Sequence, residues 1–203
     1  MEFKKKVAFP EKIVREIVAF ANTHGGDLLI GVDDDGSISG VKFALEDQYE
    51  LEKAIRNYCK PMIKYKSEII RLSEKKSVIR YTIFESSRKP HYVVEKPGAA
   101  RKVYVRVRDR SIQASREMRE ILKRSAKNKD IKFTYGEKET ILMQYLEQNE
   151  RITVKRFAEI SRLPRRVASQ TLVLLALANV LQVIPREKED YFEIKSYGVE
   201  EYK

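Results

Sequence analysis

The chain carries a run of aspartates whose type and spacing are suited to metal chemistry. Asp33-Asp34-Asp35 follows an apolar segment directly and precedes Gly36. Clustered carboxylates bind Mg²⁺ or Mn²⁺, and a bound divalent ion can activate water for attack on a phosphodiester. The same Asp-Gly composition is also typical of a tight turn between two strands. These residues alone leave both interpretations open.

Two histidines and one cysteine are the other side chains with reactive potential. His24 and His91 have no acid or base partner at a recognisable spacing, and Cys59 is the sole cysteine. A single cysteine cannot form an internal disulfide, and no histidine lies near it at metal-ligand spacing. We therefore predict no catalytic role for any of the three, with Cys59 as a small core residue. A reducing, cytoplasmic compartment is the corresponding expectation for the protein.

The basic side chains are concentrated in the first two thirds of the chain. The formal net charge is +11; residues 1–135 hold 30 Lys and Arg against 19 Asp and Glu, whereas residues 136–203 hold 11 of each. A strongly basic surface attracts polyanions such as nucleic acids. The charge therefore predicts an anionic partner for the first part of the chain only.

Hydrophobic spacing predicts the elements that position these residues in the first part of the chain. They are a helix over 10–22, a strand over 28–32 with a returning hairpin strand at 38–41, a helix over 45–59, strands near 64–72 and 78–84, a strand over 103–108, and a helix that begins after Ser115 and runs to about 127. Tyr49 and Leu51 are expected to point inward from the second helix. The alternation in 103–108 places Arg106 and Arg108 on one face of that strand.

A polar, lysine-bearing stretch over 129–136 predicts a linker between a domain at 1–128 and a second domain at 137–203. The second domain shows a helix over 137–148, a helix capped by Thr153, a helix after Pro164, and then two strands. Three helices and a hairpin in about 60 residues are typical of a winged helix-turn-helix. The predicted fold class is α+β, with a mixed first domain and a small winged-helix domain.

Three motifs carry a resemblance to a known family. Residues 20–40 contain Ala-Asn-Thr-His-Gly-Gly-Asp-Leu-Leu-Ile-Gly-Val-Asp-Asp-Asp-Gly, while Glu2-Phe3-Lys4 and Tyr104-Val105-Arg106-Val107 match an opening motif and a late strand. With these motifs, residues 1–125 resemble the Alba-like DNA-binding domain family, which is found in bacterial regulator-like proteins and in Schlafen proteins. The resemblance implies an α+β fold, nucleic-acid binding and, in bacterial members, frequent attachment to a winged helix.

The family has also been described as ATPase-like or helicase-related, and the glycines bear on that description. A phosphate-binding glycine loop follows a strand and precedes a helix, so that backbone amides and the positive helix end face the anion. Here Gly25-Gly26 follows a helix and precedes a strand, and the chain has no Gly-Lys-Ser/Thr. The sequence therefore argues against nucleotide hydrolysis.

The resemblance also suggests a metal-dependent ribonuclease as an alternative function. Schlafen relatives that cleave RNA use a cluster of carboxylates, and by motif position Glu2 and Asp34 match two of them. They would serve as catalytic and metal-binding residues for Mg²⁺ or Mn²⁺. The third acidic position of that pattern would precede Met1, which weakens the expectation of a complete site.

The predicted nucleic-acid contacts fall in both domains. In the first domain they are Lys4, Lys5, Lys6, Arg101, Lys102, Arg106, Arg108 and Arg110. In a helix-turn-helix, the start of the second helix enters the major groove, where Arg can pair with guanine and Gln with adenine. The residues at that position are Arg165, Arg166, Ser169 and Gln170, with Arg162 placed for phosphate.

These observations predict a non-enzymatic DNA-binding protein that acts as a transcriptional regulator, with RNA as a second possible ligand. The neutral second domain and its acidic hairpin turn (Glu187, Glu189 and Asp190) keep a protein–protein assembly module open as another alternative. No cofactor is predicted unless the nuclease alternative holds, and a homodimer is compatible with the sequence. No apolar run approaches the roughly 20 residues that span a bilayer, so no membrane partner is predicted.

Overall fold

A computed structural model of the protein describes residues 1–94, 99–126 and 133–195, and the chain divides into the units Met1–Ala114 and Ser115–Lys203. The elements of the first unit are β1 (Glu2–Lys4), α1 (Pro10–Asn22), β2 (Gly26–Ile30), α2 (Ala44–Tyr58), β3 (Cys59–Lys60), β4 (Tyr65–Ser73), β5 (Lys76–Ile83), β6 (Tyr92–Val93), β7 (Tyr104–Val107) and β8 (Arg110–Gln113). Helices combine with a mainly antiparallel sheet, which confirms the α+β class.

A four-stranded sheet with the order β1-β2-β5-β4 is the frame of the first unit. Strand β1 pairs parallel with β2, and the other neighbours are antiparallel, with Leu28 opposite Tyr81 at the centre. Strands β7 and β8 form a separate antiparallel pair, with Arg106 opposite Ser111.

Helix α1 is the central element of the first core. Pro10 occupies its first turn, where the missing amide hydrogen has no helical partner to lose, and every residue from Ile17 to Asn22 is buried. The Gly25 amide donates to the Phe20 carbonyl, with Gly25 at φ +73°, which ends the helix in the left-handed conformation that glycine favours. The predicted helix and its glycine stop are confirmed.

Two expectations for the first unit are wrong. Residues 38–41 form only isolated bridges, Val32 with Ile38 and Val41 with Ser77, rather than a hairpin strand. Tyr49 is 59% exposed rather than inward. Residues two positions apart on a helix point roughly 200° apart, so burial of Leu51 turns Tyr49 toward solvent.

The second unit begins with a helix that the sequence assigned to the first domain. Its elements are α3 (Arg116–Ser125), α4 (Glu137–Gln148), α5 (Val154–Ile160), α6 (Arg165–Leu177), β9 (Leu181–Ile184) and β10 (Tyr191–Ile194). The Ser115 and Thr153 hydroxyls accept from the amides of Met118 and Arg156, so both predicted N-caps are confirmed. Residues 129–132 of the predicted linker lie outside the described residues, and the position of the linker stays a prediction.

The core of the second unit joins its helices to its antiparallel strand pair. Ile152 forms an isolated β-bridge with Phe192 of β10. The fully buried side chains of this unit include Leu142, Phe157, Leu172 and Phe192. Helices α5 and α6 are joined by the short turn 161–164. In the described part of the chain, no helix has both the length and the apolar character needed to cross a membrane.

Candidate nucleic-acid interface

The guanidinium group of Arg106 lies between two carboxylates in the first unit. Its Nη2 donates to Glu2 Oε2 at 2.6 Å, and its Nη1 donates to Glu16 Oε2 at 2.8 Å. The Arg106 side chain is 9% exposed, so solvent and salt screen these ion pairs weakly. The three charges come from β7, β1 and α1, and they hold these elements together.

Further contacts fix the orientation of Arg106. Its guanidinium lies 4.9 Å from the centre of the Phe20 ring, a favourable cation–π arrangement. The Ser111 hydroxyl donates to Glu16 and accepts from Arg106 Nη1. The backbone amide of Arg106 donates to Thr23 Oγ1 at 3.1 Å. Both the backbone and the side chain of this arginine are thereby anchored to α1 and its C-terminal end.

The Asn-Thr-His-Gly-Gly motif closes α1 against the neighbouring strands. Asn22 Nδ2 donates to the carbonyls of His91 and Tyr104 at 3.0 and 2.9 Å, and Asn22 Oδ1 accepts from the His91 amide at 2.7 Å. A Cβ on Gly25 would lie 2.6 Å from the Ile83 carbonyl oxygen, and a Cβ on Gly26 would lie 2.5 Å from the Phe20 ring. Both glycines are therefore required by close approach.

The sequence placed Arg106 and Arg108 together on one strand face, and this prediction is wrong. Strand β7 ends at Val107, and Arg108 lies in the following turn with φ +55°. Arg108 is exposed, whereas the Arg106 guanidinium is occupied by carboxylates. Alternating sequence cannot distinguish a charged residue that faces solvent from one that meets a buried counterion.

The other predicted nucleic-acid contacts of the first unit differ in their exposure and in their ion pairs. Lys4 pairs with Glu2, and Lys5 pairs with Asp33 at 3.0 Å. Lys102 is half-buried and forms backbone hydrogen bonds with Val93. The remaining predicted contacts are exposed: Lys6, Arg101, Arg108 and Arg110.

The two carboxylates of the nuclease alternative lie in different surroundings. Both Glu2 oxygens accept hydrogen bonds, one from Lys4 and one from Arg106. Asp34 lies in an exposed turn in which the Gly36 amide donates to the Asp33 carbonyl at 2.9 Å. Among residues 1–94, 99–126 and 133–195, no three potential metal ligands are grouped. Both Glu2 oxygens are thus paired with cations in this arrangement, and the nuclease alternative stays a prediction.

His91 and Cys59 lie in the core of the first unit. His91 Nε2 lies 2.7 Å from Ser86 Oγ and its Nδ1 lies 2.9 Å from the Pro61 carbonyl, while burial lowers the pKa of the imidazole. Burial raises the pKa of the Cys59 thiol to about 12. A buried thiol of this kind is not a nucleophile at neutral pH, which agrees with the prediction of a core cysteine.

The start of α6 presents arginines to solvent in the second unit. Arg165 and Arg166 form its first turn and are exposed. Arg162 is exposed in the preceding turn with φ +52°. The N-terminus of a helix carries a partial positive charge, so these three guanidinium groups add to an existing attraction for anions. Gln170, one turn further on, is also exposed.

Helix α3 covers part of the same face of α6. The Ser169 hydroxyl donates to Glu117 Oε1 at 2.6 Å. Four α3 side chains and four α6 side chains line one cleft: Arg116, Glu117, Glu120, Arg124, Arg166, Ser169, Gln170 and Val173. Sequence reasoning missed Glu117 and Glu120, because helical spacing shows which residues share a face but not which neighbour that face meets.

Asp190 connects the turn before β10 to the start of α3. This residue is 4% exposed, accepts a hydrogen bond from the Ser115 hydroxyl, and accepts another from the Arg186 amide at 3.2 Å. Burial is the largest influence on its carboxyl group and raises its pKa. Asp190, one of the three acidic residues of the predicted hairpin turn, therefore has an internal structural role.

Comparisons with known proteins bear on the first unit. A family model described as Schlafen, AlbA_2 matches residues 1–115. Among solved structures, the crystal structure of the DIP2311 protein from Corynebacterium diphtheriae is similar with a TM-score of 0.45 at 16% identity. That similarity covers 81% of this chain and 27% of the DIP2311 chain, so the present chain spans about a quarter of that protein.

Proposed function

The chain belongs to the Schlafen, AlbA_2 family, and we propose that it is a DNA-binding protein that acts as a transcriptional regulator. Family membership indicates a nucleic-acid-related function. The observation that carries the choice of DNA is the exposure of Arg162, Arg165 and Arg166 at the start of α6.

The order of elements in the second unit supports its interpretation as a winged helix-turn-helix. Helix α5, the turn 161–164 and α6 supply the helix-turn-helix, and the β9–β10 pair supplies the wing. In this motif the second helix enters the major groove with its first residues at the base edges. Arg165 and Arg166 would then meet guanine, and Gln170 would meet adenine.

The exposed basic residues of the first unit supply contacts to the DNA backbone in this proposal. Arg101, Arg108, Arg110 and Lys6 are available, whereas Arg106 positions the strand that precedes the Arg108 turn. Contacts between cationic side chains and phosphates depend little on base sequence. The first unit would therefore supply affinity and the second unit would supply limited discrimination.

Binding to labelled duplex DNA tests the proposal. We expect retardation at micromolar protein and about 50 mM salt, with an affinity that falls steeply as salt rises because bound phosphates release counterions. A double Arg165→Ala/Arg166→Ala variant should bind more weakly than an Arg71→Ala/Lys75→Ala control, which removes the same charge from exposed positions around the β4–β5 turn.

Three results would contradict the proposal or its assignment to α6. Absence of binding by the wild-type protein would exclude DNA binding under these conditions. Equal or tighter binding to an RNA duplex of the same sequence would keep nucleic-acid binding but exclude a DNA regulator. Equal losses in the α6 variant and its control would remove α6 from the interface.

A further inference from the structure

We propose that α3 is an autoinhibitory helix, and that α6 engages DNA only when α3 leaves the stripe of Arg166, Ser169, Gln170 and Val173. This inference rests on the proposed function of α6. It starts from the observation that four α3 side chains line the same cleft as this stripe. The stripe contains three of the residues predicted to read DNA.

The dimensions of DNA make the contact incompatible with groove binding. The major groove is about 12 Å wide, and an α-helix with its side chains has a diameter of about 10–12 Å. One helix therefore fills the groove. With α3 beside α6, the buried Val173 and the half-buried Ser169 cannot approach the base edges, while Arg166 and Gln170 stay exposed at the border of the contact.

The side-chain chemistry of α3 opposes DNA as well. A serine hydroxyl donates one hydrogen bond at a time, and the Ser169 proton is already directed to Glu117. Glu117 and Glu120 place carboxylates in the cleft that contains Arg166, and Arg116 and Arg124 of the same helix line it as well. Helix α3 therefore opposes DNA by engaging Ser169 and by occupying the space beside α6, and not by a net negative charge.

Helix α3 is held in a way that allows its release. Among its residues only Leu122 is buried, with Ile121 half-buried against the core of the second unit. The other anchors are polar: Glu117 binds Ser169, and Ser115 binds Asp190. Helices gain most of their stability from packing of an apolar face, and this apolar face is narrow.

The first test compares the DNA affinities of two variants with the same change in charge. Glu117→Ala removes the carboxylate that binds Ser169, whereas Glu147→Ala removes an exposed carboxylate from the last turn of α4. We expect Glu117→Ala to bind duplex DNA roughly fivefold or more tightly than the Glu147→Ala control. Glu117→Gln keeps an acceptor oxygen for Ser169 and should lie between the two.

A second measurement follows α3 directly. Hydrogen exchange of the α3 amides should accelerate when saturating duplex DNA is added to the wild-type protein, while exchange in α4 stays constant. Unchanged or slower α3 exchange in the DNA-bound protein overturns the inference, as does equal affinity of Glu117→Ala and Glu147→Ala. If neither the wild-type protein nor any variant binds DNA, the proposed function fails first and the inference fails with it.

Discussion

The two units use arginine in opposite ways. In the first unit, Arg106 is 9% exposed and lies between Glu2 and Glu16. In the second unit, Arg165 and Arg166 are exposed, and neither forms an ion pair with any described residue. The arginine of the family motif therefore stabilises the fold, and the predicted binding surface lies elsewhere in the chain.

Replacing Arg106 has the largest expected effect. Arg106→Ala removes the cation from Glu16 and one of two cations from Glu2, which leaves partly buried negative charge. We expect the free energy of unfolding to fall by about 3–5 kcal/mol, measured by urea denaturation. Arg108→Ala, two positions away in an exposed turn, should change it by less than about 0.5 kcal/mol. Similar losses of unfolding free energy in both variants would contradict the structural role assigned to Arg106.

The exposed arginines of α6 are expected to contribute to base discrimination. Against a duplex that the protein selects from a random pool, Arg166→Ala should cost about 1–3 kcal/mol of binding free energy. It should cost less against random duplex, because phosphate contacts are independent of sequence. Arg108→Ala should weaken both duplexes equally. Titrations by fluorescence anisotropy measure the affinity for each duplex. An equal loss of affinity for the two duplexes in Arg166→Ala would indicate that Arg166 contacts the DNA phosphates and not the bases.

The cap of α3 gives a smaller expected effect on stability. Ser115→Ala removes an acceptor from the Met118 amide and a donor from Asp190. Loss of a serine N-cap costs about 1 kcal/mol, which thermal unfolding can detect. Ser125→Ala, at the other end of the same helix, is the control and should cost less.

The smallest expected effects are opposite responses to pH in the two units. The hydrogen bond from Thr82 and the contact with Arg80 hold the pKa of Asp27 below its ordinary value, whereas burial raises the pKa of Asp190. The stability from Asp27 is therefore complete above the ordinary pKa of aspartate and is lost as the pH falls through its lowered value. The contribution of Asp190 is complete below the ordinary pKa and is lost as the pH rises through its raised value.

Two asparagine variants test these opposite pH dependences of stability. Asp27→Asn should destabilise the protein at pH 7, and its difference from wild type should shrink on acidification. Asp190→Asn keeps a hydrogen-bonding side chain without the charge, so it should be neutral or stabilising at pH 7, with a difference that vanishes in acid. Urea denaturation across this pH range gives both differences. Parallel pH dependence in the two variants would contradict the assigned causes.

Local sequence signals predicted the elements well. Periodic apolar residues and the Pro10 start predicted α1, and the caps at Ser115 and Thr153 predicted the starts of α3 and α5. These signals depend on neighbours within a few positions of each other. The boundary of β2 and the isolated bridge at Ile38 were less predictable, because strand ends depend on pairing with distant residues.

The site was less predictable than the fold for a related reason. Arg106 meets Glu16 across 90 positions of sequence, and Ser169 meets Glu117 across 52. No sequence-spacing rule predicts a contact between residues so far apart. The charge of a side chain also does not show whether a counterion lies next to it in the folded chain. The exposed Arg165 and Arg166 were predictable because a helix start exposes its first turn without help from distant residues.

The ion pairs around Arg106 also constrain how this domain can evolve. Loss of Arg106 leaves Glu2 and Glu16 close together without their shared cation, whereas loss of either glutamate leaves Arg106 paired with the other. We therefore expect relatives that lack the arginine to lack the pair of glutamates as well, while a single glutamate can change on its own. Across a lineage, the exposed arginines of α6 are free of this coupling and can change one at a time as binding preferences diverge.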